Sequence, residues 1–495
     1  MDFLDPRKRR HRKAQLLVGY GLVAIAIGFA SVILVYGAYG YGINTKTGDV
    51  IQNGLLFVDS KPGGADIYLN SKSQHSTTSA RLVLPAGTYN LALKKTAYYD
   101  WQRTFTLPEH AIARYVYPFL YPLKPTSITL KVYSAAPPLT TESLDRKWLL
   151  VQLPTTSGTV IFDEYDLGNL AALNNVLTLP ASLLTTANQA GSSLSVVEWA
   201  SDNRHVLLKH DYPGGPEFII FDRQDPTKSL NLNKLLSINP SQVALKNKKI
   251  DQLYVYDQPS IILSVADVAK ATVTPLLKQV LAFKSSGSDL ISYITDQGAS
   301  TGQLVARIWE AGKSYSFNTF SSGATYLLDE AQFQDHWYYV AGSDTATRIN
   351  IYKDPLSGLK DPAISKAVPL LSLRGQGASQ LSFSTNARFI SLQAGSKFAV
   401  YDLETQTNYQ YSLAESLEGP MHWMDGHRLI GQSAGQVLAM DYDATNKHLL
   451  VPTVNNDGGY FDSSYNHLIT TAQVPGSDSV ALNSVDLRAG ADLPR

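Results

Sequence analysis

Cysteine is absent from this chain of 495 residues. Its absence excludes disulfides, iron–sulfur clusters, thiolate zinc sites and cysteine nucleophiles, as well as a lipidated cysteine after an N-terminal leader. A chain that folds outside the cytoplasm without disulfides depends on its hydrophobic cores for stability. Because extracellular eukaryotic domains usually carry disulfides, the composition favours a prokaryotic protein.

An excess of charge of one sign is also lacking, since 42 basic residues balance 42 acidic ones. The first 13 residues hold six of the basic and two of the acidic residues, which leaves 36 basic against 40 acidic in the remainder. No basic stripe occurs after residue 13. We therefore expect no nucleic-acid partner, because nucleic-acid binding requires clustered Lys and Arg.

The N-terminus joins a basic segment, residues 1–13, to an apolar stretch, residues 14–40. The 21 residues from 16 to 36 carry no charge, and as a helix they would extend about 31 Å, enough to cross a bilayer. The positive-inside rule then predicts a cytoplasmic N-terminus and an extracytoplasmic location for all that follows.

A cleaved signal peptide is the alternative interpretation of this segment. Its cleavage site would be residues 38–40, which are only weakly of the small-x-small type. The apolar region of a signal peptide is ~7–15 residues long, shorter than the one present. We therefore predict an uncleaved signal anchor and a single-pass protein of the cell membrane, although the sequence leaves later cleavage open.

Residues 53–123 alternate apolar and polar side chains in short runs, which predicts a small antiparallel β-sandwich. Turn residues separate these runs at positions 62–64, 70–71 and 85–87. Prolines at positions 108, 118, 122 and 125 predict a stiff connector at the end of this module.

Two motifs in this module resemble the PEGA domain. Residues 60–68 (SKPGGADIY) resemble its first strand pair, and residues 84–91 (LPAGTYNL) resemble its signature of leucine, glycine and tyrosine. Gly64 is an extra turn residue, and Ala97 replaces the usual glycine before tyrosine. The resemblance spans residues 54–107 and implies an envelope-associated, immunoglobulin-like β-module without catalytic residues.

A repeated signature runs through residues 128–490: an aromatic residue, a polar turn, and an aliphatic pair that starts seven positions after the aromatic. The aromatic positions are Trp199, Phe283, Phe333, Phe383, Trp423 and Phe461, of which the copy at Phe333 is the weakest. Most copies continue to a third strand that ends in Asp. Units of ~40–50 residues with four strands are typical of propeller blades.

The pattern resembles the TolB-like and WD40-like propellers, a resemblance that implies a fold and no activity. We therefore predict an all-β protein with an N-terminal transmembrane helix, a PEGA-like β-sandwich and a seven- or eight-bladed β-propeller.

Sequence motifs for catalysis are more simply interpreted as turns. Residues 298–302 and 431–435 match the serine-hydrolase elbow, but strand patterns rather than helices follow both. Residues 311–314 end like a phosphate loop, although Arg307 stands where its first glycine should be. We predict no catalytic residue, no cofactor-binding residue and no cofactor.

Metal-ligand spacing is missing among the ten histidines. Four of them lie in turns of the repeat: His205, His467, His422 and His427. The first two, His205 and His467, occupy equivalent positions, which favours a packing role. Acidic residues cluster at 163–166 and 455–458, which we interpret as solvated turns rather than calcium sites. We therefore predict no metal site.

Aromatic side chains suggest binding surfaces, with core packing of a strand as the competing interpretation. The candidates are Tyr98, Tyr99, Trp101, Trp337, Tyr338 and Tyr339. The sequence favours a non-catalytic scaffold that binds an extracytoplasmic protein or polysaccharide, with binding residues unknown. The alternatives are a propeller hydrolase or lyase and a self-assembling surface protein.

Overall fold

The computed structural model describes residues 6–38, 41–43, 50–154, 159–170, 175–185, 191–285, 289–455 and 458–492. The chain divides into two compact units, residues 1–123 and residues 124–495. The first unit begins with a helix, Pro6–Ala38. Within the described ranges, this is the one helix that is long and apolar enough to cross a membrane, over Ala14–Tyr36.

Two four-stranded sheets form the β-sandwich of the first unit. The first sheet contains Tyr41–Ile43, Val50–Val58, Ala80–Pro85 and Ile112–Tyr115, and the second contains Asp66–Leu69, Lys72–Thr77, Gly87–Lys94 and Trp101–Leu107. In the first sheet Val50–Val58 is central, antiparallel to Ala80–Pro85 and parallel to Ile112–Tyr115. The predicted sandwich is therefore present.

The inner faces of the two sheets bury large side chains. Leu56, Ile67, Leu91 and Trp101 are all fully buried, and each contributes about 1.5–3 kcal/mol or more by burial of its apolar surface. Gly54 lies where the sheets approach closely, because a Cβ there would come 2.7 Å from Cγ of Leu107.

The proline-rich segment predicted as a connector packs instead on the sandwich. Its residues Ile112–Tyr115 form a strand, and residues 118–122 are buried. The amide of Leu120 donates to the carbonyl of Lys61, and the carbonyl of Tyr121 accepts from the amide of Tyr99. The prolines thus end strands and turn the chain along the sandwich.

Eight four-stranded antiparallel sheets make up the described part of residues 124–495, and we number them as blades in chain order. Blade 1 consists of Thr140–Glu142, Trp148–Gln152, Ile161–Asp166 and Asn175–Thr178, and blade 2 of Ser193–Trp199, His205–Tyr212, Gly215–Asp222 and Leu230–Asn231. Blade 3 consists of Gln242–Leu245, Gln252–Asp257, Ile262–Asp267 and Thr272–Lys278, and blade 4 of Ala282–Lys284, Ile291–Thr295, Gln303–Glu310 and Lys313–Ser321. Blade 5 consists of Tyr326–Phe333, His336–Ser343, Arg348–Lys353 and Leu371–Arg374, and blade 6 of Gln380–Phe383, Phe389–Ala394, Lys397–Asp402 and Thr407–Ser412. Blade 7 consists of His422–Trp423, Arg428–Ser433, Gln436–Asp441 and His448–Pro452, and blade 8 of Tyr460–Phe461, His467–Gln473, Val480–Asp486 and Ser127–Tyr133.

Short helices connect some of these strands. They are the α-helices Leu232–Leu236 and Pro355–Leu359 and the 3₁₀ segments Ala181–Leu183, Pro226–Lys228, Lys246–Lys248 and Gly490–Asp492.

In blades 1 to 7 the strands follow sequence order across the sheet. First strands contact one another between blades 2 and 3, 4 and 5, and 5 and 6. The middle strands are buried and the fourth strands are largely exposed. Blade 8 takes its fourth strand, Ser127–Tyr133, from the start of the unit. Tyr133, Leu149, Ile469 and Leu482 pack blade 8 against blade 1, which closes the ring and confirms the predicted propeller fold.

Candidate functional site

The repeated signature is the first strand of a blade, its turn, and the start of the second strand. Its tryptophans are packed between blades: Trp199 Nε1 donates to Thr141 Oγ1 of the preceding blade at 2.8 Å. Likewise, Trp423 Nε1 donates to Ser382 Oγ at 3.1 Å. These anchors therefore hold neighbouring blades in register, and a tryptophan so placed is structural.

The Asp that ends the third strand fixes two turns of its own blade. Asp222 is buried, accepts from Arg204 Nε at 2.7 Å and Nη2 at 2.5 Å, and also accepts the amides of Gln224 and Asp225. Burial opposes its charge, but Arg204 and these amides keep the pKa of Asp222 below its ordinary value. All of these bonds lie within one blade, so the role of Asp222 is structural.

Blade 6 repeats this arrangement with different neighbours. Asp402 is fully buried and accepts from Arg388 Nε at 2.9 Å and Nη2 at 2.6 Å. Its Oδ1 also accepts the amides of Glu404 and Thr405. The outward carboxylate of Glu404 binds the same guanidinium from the solvent side.

Two of the four candidate histidines occupy equivalent positions, as the sequence predicts. His205 and His467 each begin a second strand, and their Nε2 atoms lie 3.5 Å from Asp222 and 3.6 Å from Asp486. His427 differs, because burial lowers its pKa to about 4. Its ring meets Phe389 edge-on at 5.5 Å, so these histidines pack within and between blades.

Charged side chains on the first strands bond across neighbouring blades. Glu198 accepts the amide of Leu245 at 2.6 Å and binds Lys248. Lys284 lies 3.2 Å from Asp329. These pairs connect blade 2 to blade 3 and blade 4 to blade 5, so the acidic groups that approach the axis there are neutralised by cations.

Blade 1 contributes a carboxyl group with an unusual pKa. Burial raises the pKa of Glu142 to about 7, although Arg146 Nε lies 3.7 Å away and the amide of Phe461 donates to its Oε2 at 3.2 Å. Arg146 continues past blade 8, where its guanidinium covers the ring of Tyr465 at 4.7 Å and its Nη2 donates to the carbonyl of Met424 at 2.6 Å. This contact joins blades 1, 7 and 8.

The two serine motifs lie in hairpins, as their sequence context predicts. Ser433 ends a second strand, is buried, and donates to the carbonyl of Ser416 at 2.9 Å. Ser300 lies in the turn before Gln303–Glu310. Lys313 begins a fourth strand after a tight turn, so the phosphate-loop resemblance is also a hairpin.

The interpretation of residues 163–166 as a solvated turn is wrong. They belong to the strand Ile161–Asp166, where Asp163 and Glu164 are buried. Asp163 Oδ2 accepts from Lys131 Nζ at 2.6 Å and Tyr133 Oη at 2.8 Å. Partners from distant parts of the chain therefore keep these carboxylates inside blade 1.

The other acidic cluster, residues 455–458, includes positions 456 and 457, which lie outside the described residues. Among the described residues, no three His, Asp or Glu side chains come close enough together to hold a metal ion.

Most of the aromatic candidates are core residues. Tyr98, Trp101, Tyr338 and Tyr339 are buried, while Tyr99 and Trp337 are partly exposed. Trp101, for example, packs edge-on against the ring of Tyr117 at 5.9 Å. The competing interpretation of core packing therefore holds for these four.

Two grooves, each of about 720 Å³, flank blade 6 and are rich in amides and hydroxyls. Groove 1 lies toward blade 7, and its polar side chains are Ser379, Gln380, Gln393, Ser396, Glu415, Ser416 and Glu418. Groove 2 lies toward blade 5, and its polar side chains are Arg374, Gln376, Lys397, Gln410, Tyr411 and Ser412. The hairpin between the second and third strands of blade 6 separates them.

Hydrogen bonds fix several side chains of these grooves. In groove 1, Gln393 accepts the amide of Met421 at 2.9 Å, and Gln380 Nε2 donates to the carbonyl of Met421 at 3.2 Å. In groove 2, the ring of Tyr411 stacks on Phe398 at 5.2 Å and its hydroxyl donates to the carbonyl of Tyr442. Walls held in this way can bind polar groups at little entropic cost.

Sequence reasoning missed both grooves, because no catalytic or metal motif marks them. One signal was available: glutamines at positions 376, 380, 393 and 410 all fall in or just before blade 6. Long amide side chains concentrated in one repeat are better suited to hydrogen bonding with a ligand than to packing.

These features define a class of protein: an apolar N-terminal helix, a PEGA-type β-sandwich and a β-propeller. Residues 53–115 match the PEGA domain family, which confirms the resemblance and extends it from residue 107 to residue 115. A comparison with curated proteins found no sequence similar to this chain.

Solved structures similar to this chain are propellers with little sequence identity. The Cps50 (Swd1) propeller of Myceliophteria thermophila is 10% identical over 72% of this chain and 99% of its own, with a TM-score of 0.38. The Dos1 propeller is 12% identical over 73% of this chain and 96% of its own, with a TM-score of 0.46. An oligogalacturonate lyase in complex with manganese is 11% identical over 74% of this chain and 98% of its own, with a TM-score of 0.38.

Proposed function

We propose that this chain is a single-pass cell-membrane protein that presents a PEGA domain and a propeller as non-catalytic binding scaffolds outside the cytoplasm. The apolar segment Ala14–Tyr36 supports the membrane location. The six basic residues before it support a cytoplasmic N-terminus by the positive-inside rule. Propeller loops and grooves then face an extracytoplasmic protein or polysaccharide.

The missing cysteine allows a direct test of this topology. Single cysteines replace Asp2 before the helix, the exposed Ser71 in the sandwich, and the exposed Asp478 in the propeller. In intact cells, a membrane-impermeant maleimide is expected to label Ser71→Cys and Asp478→Cys, and to label Asp2→Cys only after lysis. Labelling of Asp2→Cys in intact cells would contradict the topology, and loss of the chain from the membrane fraction would contradict the anchor.

The two grooves beside blade 6 carry the proposal of a binding role. Their amide, hydroxyl and carboxylate groups match the donors and acceptors of sugar hydroxyls. Such a surface binds without catalysis, because binding needs only complementary hydrogen bonds held in place. A polysaccharide is therefore the ligand that we favour over a protein.

A pair of matched variants tests the grooves. Lys397→Ala combined with Gln410→Ala removes two exposed groups of groove 2, whereas Lys313→Ala combined with Gln303→Ala removes the same residue types from blade 4. The full chain in detergent is titrated with envelope polysaccharide by calorimetry. We expect the first pair to weaken binding about tenfold or more, as the loss of two hydrogen bonds implies, and the second to leave it unchanged. Equal affinities would rule out groove 2 as the site.

A propeller hydrolase or lyase is the second candidate function, and Glu142 favours it. A carboxyl group with a pKa of about 7 can act as a general acid near neutral pH. Release of reducing ends or unsaturated products from envelope polysaccharide, with loss of that release in Glu142→Gln, would establish this function instead.

A further inference from the structure

The outward side of the first sandwich sheet carries a row of aliphatic side chains. Leu55 of the central strand pairs in register with Val83 on one side and Ile112 on the other. Val83 is 57% exposed and Ile112 is 53% exposed. With neighbouring strands about 4.8 Å apart, the three side chains form a continuous apolar row about 10 Å wide.

The next row on the same side combines an aromatic ring with two cations. Phe57 pairs in register with Arg81 and with Arg114, and the guanidinium of Arg114 lies 5.1 Å from the centre of the Phe57 ring. Both arginines are exposed. We call the two rows together the outer face.

The outer face lies close to the end of the apolar helix. The helix ends at Ala38 and the strand Tyr41–Ile43 begins three residues later, a separation of at most about 11 Å. That strand pairs with residues 50–52 of the central strand, and Leu55 lies three residues, or about 10 Å, further along. The outer face is therefore tethered roughly 20 Å from the point where the chain leaves the helix.

We propose that the outer face docks on the anionic phospholipid surface of the membrane that holds the helix, an inference that rests on the anchor in the proposed function. Aliphatic side chains and Phe57 enter the boundary between headgroups and acyl chains, while Arg81 and Arg114 bind lipid phosphates. Aliphatic rows lack the hydrogen-bonding groups that a polysaccharide requires. The tether makes a weak contact sufficient, because it holds the face at a high effective concentration near the lipid.

Fluorescence quenching in nanodiscs tests this docking on the full chain. A fluorophore is attached to Val83→Cys or to Ile112→Cys, and the matched control is Thr104→Cys, an exposed site on the outward side of the other sheet. The nanodiscs contain phosphatidylcholine with or without phosphatidylglycerol, plus a lipid with a nitroxide near the headgroup. We expect strong quenching at positions 83 and 112, increased by phosphatidylglycerol, and little at position 104.

Removal of the two cations provides the quantitative test. The double variant Arg81→Gln and Arg114→Gln is expected to lower the ratio of docked to undocked protein about 30-fold, which corresponds to ~1 kcal/mol for each arginine. The double variant Lys72→Gln and Lys94→Gln removes two exposed lysines from the second sheet and is expected to leave the ratio unchanged.

The outcomes separate this inference from the proposed anchor. A chain that fails to incorporate into nanodiscs overturns both. A chain that incorporates but shows equal quenching at Val83→Cys and Thr104→Cys overturns only the docking. Protection of position 83 that depends on protein concentration, without any effect of phosphatidylglycerol, would show that a second copy covers the outer face and would equally overturn the docking.

Discussion

We expect Asp402→Asn to destabilise blade 6 far more than Glu404→Gln, although both substitutions neutralise a carboxylate that binds Arg388. Asparagine keeps the shape of the side chain and an oxygen that can accept the amides of Glu404 and Thr405. The substitution therefore removes mainly the charge. Because Asp402 is fully buried, the guanidinium then loses its main partner on the side that faces the interior of the blade.

The magnitude follows from the burial of each carboxylate. Breaking a buried ion pair on one side costs about 3–5 kcal/mol, and the Arg388 side chain retains 16% exposure and its contact with Glu404. We therefore expect a loss of ~3 kcal/mol for Asp402→Asn, at the low end of that range. The Glu404 side chain is 45% exposed, so its neutralisation costs less than about 1 kcal/mol.

Hydrogen exchange of the full chain in detergent measures both losses at the site itself. Peptides that cover the second strand of blade 6, Phe389–Ala394, report the free energy of local opening. A loss of ~3 kcal/mol accelerates exchange roughly 100-fold, whereas a loss of about 0.5 kcal/mol accelerates it only about twofold. Equal acceleration in the two variants would refute the reasoning that burial decides the value of these pairs.

Further predictions concern pH and close packing. Burial lowers the pKa of His427 to about 4. The stability that its neutral form confers is therefore complete above about pH 6.5 and is lost as the pH falls toward 4. His427→Gln should remove this pH dependence of stability, as measured by urea unfolding between these pH values. Burial raises the pKa of Glu142 to about 7, so its contribution is complete below about pH 4.5 and is lost as the pH rises through 7; unfolding of Glu142→Gln should therefore need more urea than that of the wild type at pH 8. Gly54→Ala should lower the unfolding temperature of the sandwich, because the new methyl group meets the buried Leu107 at 2.7 Å, and the cost by thermal scanning should be about 1–3 kcal/mol.

The propeller was predictable because its repeat pairs an aromatic residue with a turn and a buried second strand. Blade 5 shows where this signal weakens: Phe333 pairs with His336 across a tight turn, whereas Trp199 pairs with Val206 across a longer one. In blade 3 the first strand runs into the 3₁₀ segment Lys246–Lys248 instead of a polar turn after an aromatic. Local pattern identifies a blade only when its turn keeps the common length.

Local sequence patterns could not predict how the ring closes or which charged side chains are buried. Ser127–Tyr133 completes blade 8 by pairing with Val480–Asp486, more than 340 residues away in the chain. Asp163 is tolerated inside blade 1 only because Lys131 and Tyr133 of the same closing strand bind it. An acidic residue in a sequence predicts an exposed position unless its partner is known. Here the partners lie in the strand that completes blade 8, not in blade 1 itself.

The central strand of the first sandwich sheet carries apolar residues on both faces, so the rule that apolar and polar residues alternate does not show which face is buried. Leu55 and Phe57 alternate as core residues would, yet Leu56 and Val58 are the buried ones and the first pair is partly exposed. Residues 54–58 of this strand have the sequence GLLFV, so apolar side chains project from both of its faces. One face packs against the sandwich core. The apolar side chains of the other face must contact a second apolar surface, because otherwise their exposure to water lowers solubility. If the apolar helix is the membrane anchor that we propose, the membrane surface is the nearest environment that can meet this second requirement, because the strand starts so close to that helix.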